Sequence, residues 1–97
     1  MIHVVLFRFR PGAEAASIVR VQEALAALPA AVPAIGRYQD GVNVSPEGRG
    51  QGYDWGFVMT FADARARDAY LDDPAHVAVH PLIDALVEEV LVYDLGA

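Results

Sequence analysis

The sequence predicts an α+β fold in which the strands form one antiparallel sheet. Three observations support this class: apolar residues alternate with a period of two near both ends of the chain, they recur at helical spacing between those ends, and Gly, Pro and Asp mark the boundaries. The chain has 97 residues, of which 55% are hydrophobic. That length accommodates one hydrophobic core and not two, so we expect a single domain over residues 1–97.

The first half of the chain predicts a strand, a helix and a second strand. Alternating β-branched and aromatic residues predict a strand over Ile2–Phe9, which a Pro-Gly pair closes. Apolar residues at helical spacing predict an amphipathic helix over residues 14–28, ended by Pro29 and Pro33. A weaker strand follows over residues 35–44, where glycines favour a bulge.

The second half, which follows a glycine-rich loop over residues 45–52, predicts a strand, helical segments and a final strand. Aromatic residues at alternate positions predict a strand over residues 53–61. Asp63 is the predicted N-cap of one helix, and Asp73, followed by Pro, that of the next. The chain closes with a strand over residues 90–95.

The order β-α-β-β-α-β is that of the ferredoxin-like split βαβ motif. Its helices cover one face of the sheet, yet the predicted strands are apolar on both faces. An exposed apolar face of several hundred Å² is rare in a monomer, so we expect a homodimer with two sheets packed together. The residues expected at that interface are Val4, Leu6, Val58, Leu91 and Tyr93.

Composition excludes several other functions. Thirteen acidic against seven basic residues give a net charge of −6, which disfavours binding to a nucleic-acid backbone. The absence of Cys excludes disulfides, thiolate metal sites and Cys nucleophiles. There is no uninterrupted apolar stretch of membrane-spanning length and no signal-peptide pattern, so we expect no membrane partner and a cytoplasmic location.

His76 is the strongest candidate for chemistry. It lies in the first turn after Pro74, where the helix dipole disfavours the imidazolium, and a neutral His is suited to general-base catalysis. Tyr70, six residues earlier, could hold the ring or donate a hydrogen bond to an enolate. The alternative is structural: His76 braces a loop and Tyr70 fills the core.

Two further arrangements have a structural and a functional interpretation. His3 and Asp94 lie on strands expected to be antiparallel neighbours, so they form either a structural cross-strand pair or a pair that polarises a pocket. His76 and His80 have the i, i+4 spacing of metal ligands, but Pro81 makes a shared helix face doubtful and no further ligand is evident. We therefore expect no metal site.

The remaining motifs favour structural roles. The glycine-rich loop is not followed by the helix and Lys of a phosphate-binding loop, so no nucleotide cofactor is expected. The aromatic face of residues 55–61 is typical of a core, although part of it could line a small apolar pocket. Arg65 and Arg67, with Asp63 and Asp68, are typical of a solvated helix face.

Several short segments, in this order and spacing, resemble one known family. They are residues 2–9, Gly41-Val42-Asn43-Val44-Ser45, Gly52-Tyr53-Asp54, Phe61 with Tyr70, Asp73-Pro74-Ala75-His76 and Val92-Tyr93-Asp94. Over nearly its whole length the chain resembles the stress-responsive A/B barrel (Dabb) family of dimeric α+β barrels. The family includes plant proteins linked to stress tolerance and a polyketide cyclase that forms olivetolic acid.

The resemblance to the cyclase implies a catalytic pair, Tyr70 and His76, in a pocket between sheet and helices. It also implies a site with the following pocket and supporting residues: His3, Asp94, Val5, Phe7, Leu25, Trp55, Phe57 and Val79. Asp73 departs from the first His of the family's His-Pro-x-His motif, and Trp55 and Leu25 replace a pocket His and Tyr of the cyclase. Phe7 and Phe57 replace aliphatic residues, which implies a smaller cavity and a different substrate.

Three functional hypotheses follow. The first is a dimer that binds a small apolar, aromatic or polyketide-like ligand between helices and sheet, with cyclase- or isomerase-type proton transfer by His76 and Tyr70. The second is a non-catalytic, stress-associated or binding dimer whose core is filled. The third, which rests on analogy of fold alone, is a cofactor-free monooxygenase.

Overall fold

The computed structural model describes residues 1–96, which form one four-stranded antiparallel sheet with helices. The strands are β1 (Ile2–Phe9), β2 (Tyr38–Val42), β3 (Trp55–Thr60) and β4 (Val87–Leu95). The helices are α1 (Ala15–Ala26), α2 (Leu28–Ala31), α3 (Ala64–Asp72) and α4 (Pro74–Leu86). The strand order is β2-β3-β1-β4 with antiparallel neighbours throughout, which confirms the predicted ferredoxin-like α+β fold.

The predicted elements are present with shifted boundaries. The helix predicted over residues 14–28 ends at Ala26, and Pro29 lies in the first turn of the short helix α2. Pro is accepted there because a first-turn N–H has no partner within the helix. The bulge expected in the second strand is absent from the β2–β3 register, and the register shift lies instead between Arg8 and Phe9, opposite β4.

The two predicted N-caps are confirmed. The Asp63 carboxylate accepts a hydrogen bond from the Ala66 N–H at 2.9 Å, and the Asp73 carboxylate accepts one from the Ala75 N–H at 2.8 Å. Each cap satisfies a backbone donor that the first turn leaves free. Asp73 is also the C-cap residue of α3, so a single residue separates the two helices.

The core lies between the helices and one face of the sheet. From His3 to Phe7 on β1 and along β3, the residues facing the helices are buried, and those between them are only partly covered. The predicted interface residues share the opposite, outer face: Val4 pairs with Val58 and Tyr93, and Leu6 pairs with Leu91. Tyr93 is 60% exposed and Leu91 39% exposed. The second apolar face predicted from the sequence is therefore present.

None of the helices within residues 1–96 has both the length and the apolar character needed to cross a bilayer.

Candidate functional site

The turn between α3 and α4 brings the two predicted catalytic residues together. Tyr70 lies near the end of α3 and is buried, while His76 lies in the first turn of α4 and is half-buried. Their ring centroids are 4.4 Å apart, with the planes tilted by 44°. Only Asp73 separates the two helices, so the chain turns sharply there. The rings of Tyr70 and His76, six residues apart in sequence, are therefore in direct contact.

The hydrogen bonds of His76 determine where its proton resides. Its Nδ1 lies 3.0 Å from the carbonyl oxygen of Leu71, which can only accept, so Nδ1–H is the donor. A neutral His76 then has its lone pair on Nε2. That atom lies 3.1 Å from Nε2 of His80, which must carry a hydrogen and donate it. His76 therefore presents a basic Nε2, and the exposed ring of His80 covers it.

Burial favours the neutral forms of both catalytic candidates. Desolvation lowers the pKa of His76 below its ordinary 6.5, and the neighbouring His80 and His3 lower it further, against the opposing hydrogen bond to Leu71 and the charge of Asp73. Burial also raises the pKa of Tyr70 to about 12. At pH 7 the pair is a neutral imidazole and a protonated phenol, which can accept and donate a hydrogen bond, respectively.

Burial is the largest cause of the lowered pKa of His76, and the contribution of the helix dipole invoked from the sequence stays a prediction.

A second polar group lies on the sheet side of Tyr70. His3 donates from Nδ1 to one carboxylate oxygen of Asp94 at 2.5 Å, and the Arg67 guanidinium donates to the other oxygen at 2.8 Å. The His3 ring is only 4% exposed, and its centroid lies 6.0 Å from that of Tyr70. The predicted pairing of His3 with Asp94 is therefore present, and Arg67 completes it.

The interpretation of Arg67 as part of a solvated helix face was wrong. Arg67 reaches from α3 to β4, whereas Arg65 stays exposed. The sequence held one usable signal: Arg67 precedes Tyr70 by three residues and so shares its helix face.

Arg67 and His3 together keep Asp94 ionised. Burial alone raises the pKa of this carboxyl, but the hydrogen bonds from His3 and Arg67 outweigh that cost and place the pKa below its ordinary 3.8. The neighbouring carboxylates also raise the pKa of Arg67, chiefly through the hydrogen bond to Asp94. Asp94 and Arg67 therefore form an ion pair, and His3 is hydrogen-bonded to the same carboxylate.

The apolar residues predicted to line a pocket lie in the core. Phe7, Trp55 and Phe57 pack against one another, with ring centroids 5.4 to 6.0 Å apart. The six apolar residues predicted to line the pocket are at most 6% exposed: Val5, Phe7, Leu25, Trp55, Phe57 and Val79. That they line a ligand pocket remains a prediction.

A concavity of about 630 Å³ lies elsewhere, against the outer sheet face and beneath the β2–β3 loop. Its lining includes Val4, Leu6, Leu91, Arg49 and Tyr53, and it touches neither His76 nor Tyr70.

The expectation that Pro81 would separate His76 from His80 was wrong. Helix α4 continues through Pro81 to Leu86, and the two imidazoles meet on one face. A proline inside a helix removes one backbone hydrogen bond without necessarily ending the helix. Within residues 1–96 no group of three or more His, Cys, Asp or Glu side chains is placed to hold a metal ion.

Comparison with known proteins places this arrangement in context. The sequence model of one protein family, the stress responsive A/B barrel domain (Dabb), matches residues 1–96 of this chain. No curated protein sequence matches the chain.

Solved structures share the fold over almost the whole chain. The structure of At3g17210 from Arabidopsis thaliana is 29% identical, with a TM-score of 0.91 over 99% of this chain and 93% of that one. A dimeric ferredoxin-like protein of unknown function from Jannaschia sp. CCS1 is 26% identical, with a TM-score of 0.87 over 99% and 97% of the two chains. The hydroxynitrile lyase of Passiflora edulis is 17% identical, with a TM-score of 0.88 over 95% and 87%, and this likeness shows the fold alone.

Proposed function

Because the chain belongs to the stress responsive A/B barrel (Dabb) domain family, we propose that it is a homodimeric α+β barrel protein that binds a small carbonyl compound and moves a proton on it. The ligand is mostly apolar or aromatic, as in a polyketide-like compound, and binds between helices and sheet beside His76. The observation that carries the proposal is the contact of a neutral His76 with Tyr70, with the lone pair on Nε2.

The proposed step is removal of a proton from a carbon next to a carbonyl group. The C–H electron pair moves toward the carbonyl oxygen, the proton goes to Nε2 of His76, and the Tyr70 hydroxyl donates a hydrogen bond to the enolate oxygen. The lowered pKa of His76 keeps the base unprotonated, and the raised pKa of Tyr70 keeps its proton in place. His80 must first release Nε2, which its exposed position on α4 allows.

The group formed by His3, Asp94 and Arg67 supports the site from the sheet side. It braces β1, β4 and α3 around Tyr70 and places an ionised carboxylate behind the His3 ring. We assign these residues to positioning and polarising the pocket rather than to contact with the reacting atoms.

The homodimer is part of the proposal. The outer face carries the apolar residues Val4, Leu6, Val58, Leu91 and Tyr93, and a second copy packed on it would remove them from water. A relative of 26% identity, from Jannaschia sp. CCS1, is described as dimeric. The same packing would also close the outer-face concavity.

A second candidate function is a non-catalytic dimer with a filled core. The close packing of Phe7, Trp55 and Phe57 favours it, because these rings occupy the space between sheet and helices where a ligand would bind. The cofactor-free monooxygenase hypothesis still rests on the fold alone.

Exchange of the substrate proton separates the two candidates. The wild-type protein is screened by thermal shift against β-keto acids, polyphenols and aromatic acids, and each stabilising compound is incubated with it in D₂O. We expect loss of the α-proton NMR signal faster than in buffer, with His76→Gln slowing the exchange by about 10²-fold or more while the compound still binds. A compound that binds without faster exchange, or no stabilising compound at all, would favour the non-catalytic dimer.

A further inference from the structure

The two imidazoles of α4 form an arrangement that proton transfer alone does not require. His76 and His80 approach through their Nε2 atoms at 3.1 Å, with ring centroids 4.4 Å apart and ring planes nearly perpendicular. The two ring nitrogens are thus within hydrogen-bond distance of each other. His80 is exposed and His76 half-buried, so the gap is open to water on one side.

We propose that His76 and His80 form a two-histidine binding site for a late first-row divalent metal ion such as Zn²⁺. Zn–N bonds of about 2.0–2.1 Å on two nitrogens 3.1 Å apart give an N–Zn–N angle of about 95–102°, within reach of tetrahedral geometry after small ring rotations. Imidazole nitrogen is a preferred ligand for this class of ions. The inference rests on the geometry of the two imidazoles and does not require the proposed proton transfer, although both use Nε2 of His76.

The surroundings of His76 supply a second, independent feature of a metal ligand. Its Nδ1–H donates to the Leu71 carbonyl at 3.0 Å, the second-layer contact that orients metal-bound histidines and leaves Nε2 unprotonated. Only His80 must change: its hydrogen moves from Nε2 to Nδ1, so no net proton is released. Metal binding breaks the hydrogen bond between His80 and His76 and forms two metal–nitrogen bonds.

The ligand set also defines what the site can do. Within residues 1–96 no third His, Cys, Asp or Glu is placed to join the pair, so the other coordination positions are filled by water or by a bound ligand. An ion held there occupies Nε2 of His76, the atom assigned as the base. It would therefore block proton transfer by His76, while its open positions could hold a carboxylate or enolate oxygen.

Zn²⁺ titration of the untagged full chain, followed by NMR of the imidazole rings, tests the site. We expect saturable binding of one ion per protomer in which the ring signals of His76 and His80 shift together. The His3 ring, buried and bonded to Asp94, should stay unshifted and is the internal control. Binding to His3 or to carboxylates, or shifts confined to one of the two rings on α4, would overturn the proposal.

A pair of variants tests the geometry rather than the number of histidines. In His80→Gln one of the two metal ligands is lost, so the affinity for Zn²⁺ measured by calorimetry should fall at least 10-fold. The double variant His80→Gln/Ala78→His restores three histidines but places the new one two residues from His76, on a different face of α4, at a position that is exposed. It should bind as weakly as His80→Gln, and wild-type affinity in either variant would refute a shared site.

Discussion

The imidazole of His3 and the carboxylate of Asp94 form a 2.5 Å hydrogen bond across the β1–β4 pair, 91 residues apart in sequence. The two residues are direct partners in the register, and Arg67 binds the second carboxylate oxygen from α3. This bond joins the first strand to the last and holds a buried polar ring at the edge of the core.

Asp94→Asn should destabilise the protein by about 2 kcal/mol at pH 7, because it weakens two charge-assisted hydrogen bonds to partly buried donors. Urea unfolding at a fixed protomer concentration measures the difference. Asp68→Asn is the matched control, since Asp68 also contacts Arg67 but is 64% exposed, and it should cost less than about 0.5 kcal/mol. Equal effects of the two changes would contradict this account.

The same bond predicts a pH dependence. The pKa of Asp94 is lowered in the folded state. The stability that its ionised carboxylate contributes is therefore fully present above the unfolded pKa of 3.8 and is lost as the pH falls through the lower pKa of the folded state. The difference in unfolding free energy between wild type and Asp94→Asn should therefore become smaller as the pH falls below 3.8. A difference that grows below pH 3.8 would contradict this sign.

His76 should titrate below pH 6.5, because burial lowers its pKa in the folded state. The unfolded chain then takes up this proton first, so stability that is present above pH 6.5 is lost as pH falls through the folded value. An NMR titration of the His76 ring measures the pKa directly. His80→Gln should raise the pKa of His76, since the electrostatic effect of His80, which lowers that pKa, is removed. A His76 pKa above 6.5 in the wild type would contradict the burial argument.

His76→Gln should change the free energy of unfolding by no more than about 1 kcal/mol at pH 7 if the residue serves chemistry rather than folding. Thermal unfolding of the two proteins at equal concentration checks this. A larger loss would indicate that His76 is mainly a brace between α3 and α4.

Gly56→Ala should destabilise the sheet by about 1–3 kcal/mol. A Cβ at this position would lie 2.6 Å from a methyl carbon of Leu6 and 2.8 Å from the backbone oxygen of Val5, and the backbone cannot give way cheaply. Gly41 is the direct partner of Gly56 across β2 and β3, and nothing lies within 4 Å of a Cβ there. Gly41→Ala should therefore be neutral or slightly stabilising in the same denaturation assay, and a comparable loss in both variants would refute the steric explanation.

Leu6→Asp should dissociate the proposed dimer or unfold the chain, because it places a charge at the centre of the outer face. Light scattering after size exclusion, with circular dichroism, separates dissociation from unfolding. Val19→Asp is the control: this residue is 48% exposed on α1, away from the sheet, and the variant should keep the wild-type mass. A folded Leu6→Asp dimer would exclude the proposed interface.

The local elements were predictable because short stretches of chain carry their signals. The alternation over Ile2–Phe9, the caps at Asp63 and Asp73 and the order of the elements all follow from neighbouring residues, and the structure reproduces them. The apolar outer face was also predictable, because strand periodicity assigns alternate residues to opposite faces. For the candidate site, the sequence and the family resemblance put forward His76, Tyr70, His3 and Asp94, and the structure places His76 against Tyr70 and His3 against Asp94.

Contacts between elements were decided only by the tertiary structure. The sequence around Arg67 is typical of a surface residue, and no local pattern encodes its salt bridge to Asp94 on β4, 27 residues away. His80 was separated from His76 by a local rule about proline, but packing of α4 outweighs the loss of one backbone hydrogen bond. Burial of Tyr70 and His76, which sets the direction of both pKa shifts, likewise depends on what packs around them. The sequence thus determined which residues are candidates for chemistry, and the tertiary structure determined their partners and the direction of their pKa shifts, because desolvation and hydrogen bonding are properties of the assembled core.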